Sequence, residues 1–252
     1  MTDIPYIQIQ SIAESLDSVH SWNTRVSRTR VSTVDGFACT ESSDAAVQSL
    51  EGVLRMVKRL KLKQCQFSDI EEVQGRIGEG ETFVVDKCKL SDKIVAVKHI
   101  KLGDINVDQR AFHRRLQSVV REISIMNHQP LAQHPHILQL LGYGWKLEGS
   151  SPLPYIVVEY GVGGDLRSYL QEQKHSTLKA KIIHCGDVAC GLMALHQCGI
   201  VHGDLKLNNV IIFESWDRPS GTIAKLCDFG HSLLLAVENP SSLRYVGTTL
   251  WA

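Results

Sequence analysis

The sequence has no apolar run long enough to cross a membrane and no excess of charge of one sign. A bilayer-spanning helix needs roughly 20 apolar residues, and the N-terminus, Met1–Pro5, lacks the basic and then apolar order of a secretory signal. Lysine plus arginine number 27, as do aspartate plus glutamate, so charge gives no reason to expect a nucleic acid or a membrane surface as partner. These features favour an intracellular, cytoplasmic protein, with the nucleus also open.

Cysteine pairs of the kind that bind zinc or carry redox chemistry are also missing. The seven cysteines are an odd number, and no two are spaced as CxxC. Free thiols in a reducing compartment are the simplest interpretation. With 252 residues, of which 43% are hydrophobic, the chain is long enough for one large domain or two small ones with a proper core.

Residues 1–69 differ in texture from the rest of the chain. Residues 1–42 are rich in serine and threonine and are predicted to be a flexible leader. Residues 43–63 are predicted to form an amphipathic helix with lysines and arginines crowding its end. Its apolar stripe comprises Val47, Leu50, Leu54 and Val57. The sequence does not indicate what this helix packs against.

A glycine-containing turn and an apolar strand follow. Gly78 and Gly80 lie between β-branched residues, in a tight turn whose backbone amides can approach phosphate oxygens. Strand Ile94–Lys98 then ends in a lysine, and pairing with the glycine turn would present this lysine to the phosphates. A plain hairpin and a solvated lysine are the alternatives at these positions.

Helical and strand patterns then divide the chain into two parts. Residues 108–127 are predicted as a helix, with Glu122 beside its apolar stripe and directed toward Lys98 rather than solvent. A buried strand, Tyr155–Tyr160, ends at a run of glycines. This run separates a sheet-rich part from a helical part, in which Leu178–Cys198 is the longer helix. The predicted apolar face of this helix comprises Ile182, Ile183, Val188, Leu192 and Leu195.

One polar stretch carries the chemistry. Asp204, Lys206 and Asn209 are closely spaced between two apolar runs, so two strands would anchor a loop whose polar side chains point into one site. Phosphoryl transfer requires an aspartate to orient the attacking hydroxyl, a cation for the transferred charge, and metal ligands. Asp228, after a second short strand, supplies another carboxylate that can share the metal.

Taken in order, these motifs resemble those of protein kinases over roughly residues 70–252. They are Gly78-x-Gly80, Val95-Ala96-Val97-Lys98, Glu122, Glu159-Tyr160-Gly161, the HGDLKLNN stretch at 202–209, Asp228-Phe229-Gly230 and the GTTLW stretch at 247–251. The resemblance implies a bilobal α+β fold. It comprises an N-lobe at 70–160 with an antiparallel sheet and one helix, and an incomplete, mainly helical C-lobe at 161–252 that ends in the activation segment.

The resemblance also implies ATP and Mg²⁺ as cofactors and a protein as substrate. Lys98, oriented by Glu122, would hold the α- and β-phosphates. Asp204 would orient the substrate hydroxyl, and Lys206 would stabilise the γ-phosphate. The implied magnesium ligands are Asn209 and Asp228. Gly78 and Gly80 would lie over the phosphates, and Val85, Ala96 and Ile211 would enclose the adenine ring. Glu159 and Gly161 would bond the edge of the adenine, and Asp165 would reach the ribose. Ile77 is a further implied nucleotide contact. The lysine two positions after the aspartate, together with Thr248, resembles serine/threonine kinases.

The chain departs from the family pattern at three positions within its motifs. Phe83 replaces the third glycine of the turn, Leu207 replaces a proline, and Gly203 replaces the arginine that binds a phosphate on the activation segment. The last change predicts that activity does not require phosphorylation in that segment. The candidate phosphorylation sites are Ser241, Ser242 and Tyr245.

Two other functions stay open at this point. A small-molecule phosphotransferase of the aminoglycoside or choline kinase type shares the residues around Asp204, although Lys206, Phe229-Gly230 and the Gly247-Thr248 stretch favour a protein substrate. The chain stops at Ala252, before the Ala-Pro-Glu motif and the helices expected after it, so a non-catalytic, kinase-like binding fragment is the second alternative. The sequence does not indicate the substrate, the pathway, the oligomeric state or the role of residues 1–69.

Overall fold

The computed structural model describes residues 49–101, 108–148, 151–172, 177–218 and 220–235. Their N-terminal part contains a five-stranded antiparallel sheet with the strand order β1-β2-β3-β5-β4. Its strands are β1 (Ile70–Glu79), β2 (Phe83–Leu90), β3 (Lys93–Ile100), β4 (Leu140–Glu148) and β5 (Ser151–Glu159). The presence of this antiparallel sheet together with α-helices confirms the predicted α+β class.

The two central strands, β3 and β5, are buried on both faces. Side chains alternate along a strand, so Val95 and Val97 point to one face and join a cluster with Val157 of β5. Ala96 and Lys98 point to the opposite face and are also buried. A lysine in this buried position requires a charged partner, because an isolated buried ammonium is very costly.

The partner comes from the long helix α2 (Gln109–Met126), which matches the helix predicted at 108–127. Asp108 caps it, since the Asp108 carboxylate accepts a hydrogen bond from the Ala111 amide at 2.9 Å. A short helix, α3 (Gln129–Ala132), follows before β4.

The C-terminal part consists of two α-helices, one turn of 3₁₀ helix (Leu207–Asn209) and two small antiparallel strand pairs within the described residues. The helices are α4 (Leu166–Glu172) and α5 (Leu178–Gln197). Strand β6 (Ile200–Val201) pairs with β9 (Leu233–Leu234), and β7 (Val210–Glu214) pairs with β8 (Thr222–Leu226). The polar stretch at 202–209 therefore lies between two strands, β6 and β7, as predicted.

The prediction of which residues of α5 are buried is wrong. Its predicted members Ile182, Ile183, Val188 and Leu192 are only half-buried, and Leu195 alone is buried. The buried residues of the helix are instead His184, Asp187, Gly191, Ala194 and Leu195. The reason is that this face meets β8, where Asp187 accepts a hydrogen bond from the Ala224 amide at 2.9 Å.

The first described helix, α1 (Leu50–Arg59), is shorter than the predicted one. Ser49 caps its start, and residues 1–48, which include the predicted leader, lie outside the described residues. The predicted end at residue 63 is wrong, because the chain turns at Lys61 with a φ of +53°. The stripe is also shifted: Val53, Met56 and Val57 are buried, whereas Leu50 and Leu54 are half-buried. Among the described residues, no helix combines the length and the apolar character needed to cross a bilayer.

Candidate active site

A buried ion pair joins strand β3 to helix α2. The ammonium of Lys98 donates a hydrogen bond to Glu122 Oε1, and the two residues are 8% and 0% exposed. The Lys98 Nζ atom also lies 4.2 Å from the centroid of the Phe83 ring, a favourable cation–π contact. In the sequence Phe83 is notable only as the replacement of a glycine, and no local pattern indicates its contact with Lys98.

The charges of this pair depend on each other. Burial works against the ammonium of Lys98, but the carboxylates of Glu122 and Asp228 outweigh burial and raise the pKa of Lys98. Burial raises the pKa of Glu122, because it disfavours the charged carboxylate, although the ammonium of Lys98 opposes this change. Lys98 is therefore cationic at neutral pH and positioned to hold an anion.

The catalytic-loop candidates gather around Asp204. Its carboxylate oxygen Oδ2 accepts hydrogen bonds from Lys206 Nζ at 2.6 Å and from Asn209 Nδ2 at 3.1 Å. Asn209 Nδ2 also donates to the Asp204 carbonyl oxygen at 2.8 Å. Asp204 is 4% exposed, so these bonds hold its carboxylate in one orientation. The predicted convergence of three polar side chains is observed.

His202 links this loop to the segment that carries Asp228. Its Nε2 atom donates to the Cys227 carbonyl oxygen at 3.1 Å, and its Nδ1 atom accepts a hydrogen bond from the Asp204 amide at 3.4 Å. Burial lowers the pKa of His202, which agrees with a neutral ring that uses one nitrogen as donor and the other as acceptor. This role was not predicted, because no local pattern distinguishes a bridging histidine.

Asp228 and Asn209 come together through the backbone. The Cys227 amide donates to the Asn209 carbonyl oxygen at 3.0 Å, and Asp228 follows with a φ of +63°. A carboxylate and an amide oxygen are ligands that Mg²⁺ accepts, and Mg²⁺ commonly uses one or two carboxylates together with phosphate oxygens. The hydrogen bonds of Asn209 to Asp204 use its amide nitrogen, so its amide oxygen is not engaged in them. The donor set therefore fits Mg²⁺.

The predicted nucleotide-contact residues of the N-terminal sheet lie on β1, β2 and β3 and in the turn between β1 and β2. Gly78 pairs with Val85 across β1 and β2, and the Gly80 amide donates to the Phe83 carbonyl oxygen at 2.9 Å. Ile77 is 39% exposed at the same end of β1. Ala96 is buried on the face of β3 that carries Lys98.

Comparison with known proteins agrees with this arrangement. The model of the protein kinase domain matches residues 71–252. The chain belongs to the protein kinase family. A probable serine/threonine-protein kinase of Dictyostelium discoideum is 31% identical over 186 residues, which cover 73% of this chain and 40% of the relative.

Two further relatives show how wide the similarity is. The NUAK family SNF1-like kinase 2 of Rattus norvegicus is 35% identical over 159 residues, 63% of this chain and 22% of the relative. The discoidin domain-containing receptor tyrosine kinase B of Caenorhabditis elegans is 30% identical over 155 residues, 62% of this chain and 17% of the relative. The kinase chain thus spans less than half the length of each of these proteins.

A further ion pair joins the end of β5, where the two parts of the kinase meet, to β8. Lys225 Nζ donates to both carboxylate oxygens of Glu159 at 2.8 Å, and Glu159 Oε1 also accepts from the Gln139 amide at 2.8 Å. Gly161 lies so close to Ile211 that a Cβ atom on Gly161 would be 2.4 Å from Ile211 Cγ2. The predicted adenine contacts Glu159, Gly161 and Ile211 are therefore neighbours.

Asp165, the predicted ribose contact, has a structural role in the kinase. Its Oδ1 atom accepts a hydrogen bond from the Ser168 amide at 3.1 Å, and its Oδ2 atom accepts one from the Ser168 hydroxyl at 2.9 Å. Asn208 Nδ2 also donates to Asp165 Oδ1 at 3.4 Å. Asp165 therefore caps α4 and contacts the catalytic loop, and its contact with ribose stays a prediction.

Gly203, which replaces the usual arginine, is in close contact with the start of the kinase's activation segment. Its φ is +78°, and a Cβ atom on it would lie 2.1 Å from the His231 carbonyl oxygen. The neighbouring Ser232 hydroxyl donates to the His202 carbonyl oxygen at 3.0 Å. The candidate phosphorylation sites Ser241, Ser242 and Tyr245, and also Thr248, lie outside the described residues.

Proposed function

We propose that this chain transfers the γ-phosphate of ATP, with Mg²⁺, to a serine or threonine hydroxyl of a protein substrate. The observation that carries the proposal is the completed polar constellation: the buried Lys98–Glu122 pair, together with Asp204 bonded to Lys206 and Asn209. A non-catalytic member of the family has no need to keep these buried or half-buried polar groups in mutual contact, since buried polar groups are costly unless paired.

Each residue has a role that follows from its position. Lys98, held by Glu122, binds the α- and β-phosphates as a fixed cation. Asp204 orients the substrate hydroxyl and accepts its proton, and Lys206 stabilises the negative charge that develops on the transferred group. Asn209 and Asp228 hold Mg²⁺, which when bound neutralises charge on the phosphate oxygens. These groups are orientated before substrate arrives, so little reorganisation is needed during the reaction.

Preference for serine and threonine rests on one residue and on the relatives. Lys206 lies two positions after Asp204, bonded to it, as the resemblance to serine/threonine kinases implies. Two of the three relatives above are serine/threonine or SNF1-like kinases by name, and one is a receptor tyrosine kinase. Analysis of the phosphorylated amino acid in the product distinguishes these specificities.

The test compares Asp204→Asn with Asp217→Asn. Asp217 is an exposed aspartate in the turn between β7 and β8, so its replacement controls for the loss of one carboxylate. With radiolabelled ATP, Mg²⁺ and a mixture of general protein substrates, we expect Asp204→Asn to lower phosphoryl transfer by about 100-fold or more. Asp217→Asn should transfer normally.

ATP binding separates this result from misfolding. The melting temperature of Asp204→Asn should still rise on addition of Mg²⁺ and ATP, because the asparagine side chain keeps the shape of the loop and Lys98 is unchanged. Equal transfer by Asp204→Asn and the original chain would refute the assigned role of Asp204. Absence of transfer in the original chain, with ATP binding intact, would favour the non-catalytic alternative.

A further inference from the structure

Helix α1 lies against the side of α2 that faces away from the active site. The hydroxyl oxygen of Ser124, on α2, is 3.9 Å from the sulfur of Met56, on α1. At about 100° per residue, Ser124 is turned about 200° around the helix axis from Glu122. The contact with α1 is therefore on the face of α2 opposite the one that carries the ion pair.

Burial around α2 indicates a second layer on that face. A helix that packs on a single sheet buries one stripe, yet Val120, one turn before Ser124 on the face opposite Glu122, is only 5% exposed. The side chains that α1 buries are Val53, Met56 and Val57, at 2%, 5% and 1% exposure. Met56 of α1 therefore contributes to the cover over this face of α2.

Helix α1 is anchored to the sheet by the residues that follow it. The Cys65 amide donates to the Tyr143 carbonyl oxygen at 2.8 Å, and the Tyr143 amide donates to the Lys63 carbonyl oxygen at 3.0 Å. These bonds pair the segment with β4, the edge strand of the sheet. The buried Tyr155 hydroxyl adds a bond to the Cys65 carbonyl oxygen at 2.8 Å.

The burial of the Glu122 carboxylate makes the position of α2 energetically important. This side chain is fully buried, and its Oε2 atom has no hydrogen-bond partner among the described residues. A buried carboxylate with one unsatisfied oxygen is destabilised relative to a hydrated one. A rotation or outward shift of α2 would hydrate this oxygen, but it would also separate Glu122 from Lys98. The ion pair therefore depends on the position of α2, and contacts on the opposite face of α2 favour that position.

We propose that residues 49–65 form a brace that positions α2, and through it Glu122, for nucleotide binding. The brace lies N-terminal to the family match at 71–252 and therefore outside the matched domain. Val53 and Met56 are positioning residues, since they act on the nucleotide site through α2. The expected effect of the brace on ATP binding rests on the proposed function, whereas its expected effect on the position of α2 does not.

The test compares two double alanine variants of the same helix. Val53→Ala with Met56→Ala removes the buried face, and Arg55→Ala with Lys58→Ala removes exposed side chains. We expect the buried-face variant to speed amide hydrogen exchange in α2 by about tenfold or more, with exchange in β3 and β5 unchanged. The exposed-face variant should exchange like the original chain.

A double-mutant cycle with Glu122→Gln tests whether the brace acts through Glu122. We expect the buried-face variant to weaken binding of Mg²⁺-ATP several-fold in the original chain and to have little further effect when Glu122 is already replaced. Equal weakening in both backgrounds would show a general structural role and would overturn the proposal.

A milder variant covers the case in which the buried-face variant unfolds. Tyr155→Phe removes only the hydroxyl that bonds the Cys65 carbonyl, and it should speed exchange in α2 in the same direction by a smaller factor. Unchanged α2 exchange in Tyr155→Phe and in the buried-face variant would overturn the brace. Faster α2 exchange in a chain that binds no Mg²⁺-ATP would support the brace and refute the proposed function.

Discussion

Replacing Gly203 by alanine should destabilise the chain much more than the same change at Gly199. Both glycines have positive φ values, +78° and +69°, and an L-residue in the left-handed region costs roughly 1–2 kcal/mol. At Gly203 the added Cβ would also lie 2.1 Å from the His231 carbonyl oxygen and 2.9 Å from the His231 carbonyl carbon. At Gly199 the added Cβ meets no described atom within 4 Å.

The contact at Gly203 is with backbone, so the activation segment must shift to relieve it. That shift would also disturb the hydrogen bond from Ser232 to the His202 carbonyl oxygen, at a cost of about 1 kcal/mol. We therefore expect Gly203→Ala to lower the free energy of unfolding by about 3 kcal/mol or more, against about 1–2 kcal/mol for Gly199→Ala.

Urea unfolding of the two variants and the original chain measures this difference. The comparison requires equal m-values, so that midpoints report stability rather than altered compactness. In a thermal melt each kcal/mol corresponds to about 2–4 °C for a domain of this size. Equal losses for Gly203→Ala and Gly199→Ala would refute the close contact between the catalytic loop and His231 and leave only backbone strain.

Two further predictions concern buried charge and pH. Asp187→Asn should cost about 3–5 kcal/mol of unfolding free energy in urea, because Asp187 is 3% exposed and bonds both terminal nitrogens of Arg218; exposed Asp217→Asn is the control, and similar losses would contradict this. Burial, aided by His136, lowers the pKa of His134 to about 4. As the pH falls, the His134 imidazole is protonated in the unfolded chain before it is protonated in the folded one. The stability contributed by neutral His134 is therefore fully present above about pH 6.5, and the free energy of unfolding falls by about 1–3 kcal/mol toward pH 4. If His134→Gln leaves the dependence of this free energy on pH unchanged, the prediction is contradicted.

Patterns confined to one element were sufficient to predict that element. The helix predicted at 108–127 is observed at Gln109–Met126, because its apolar period and its cap at Asp108 are both local signals. Short polar spacings around Asp204 similarly predicted a loop between two strands. In these cases the residues that decide the conformation are close in sequence, so no knowledge of the packing was needed.

The predictions were wrong where the buried face or the end of a helix depends on residues far away in the sequence. The inward face of α5 carries Asp187 rather than an isoleucine stripe, because the Ala224 amide of β8 and the guanidinium of Arg218 lie against it. Helix α1 ends before residue 63 because the following residues pair with β4 at Tyr143. Neither partner is visible from the residues of the helix concerned.

The functional site divides in the same way. Residue types and their order are enough to identify the family and the candidates Lys98, Glu122, Asp204, Asn209 and Asp228. The roles of Phe83 over Lys98 and of His202 between Asp204 and Cys227 come only from packing, because each depends on contacts between segments far apart in the chain. The function of Gly203 likewise required the backbone of His231 beside it. Chemistry is encoded by side-chain type, whereas the orientation and protonation of those side chains depend on the neighbours that folding brings to them.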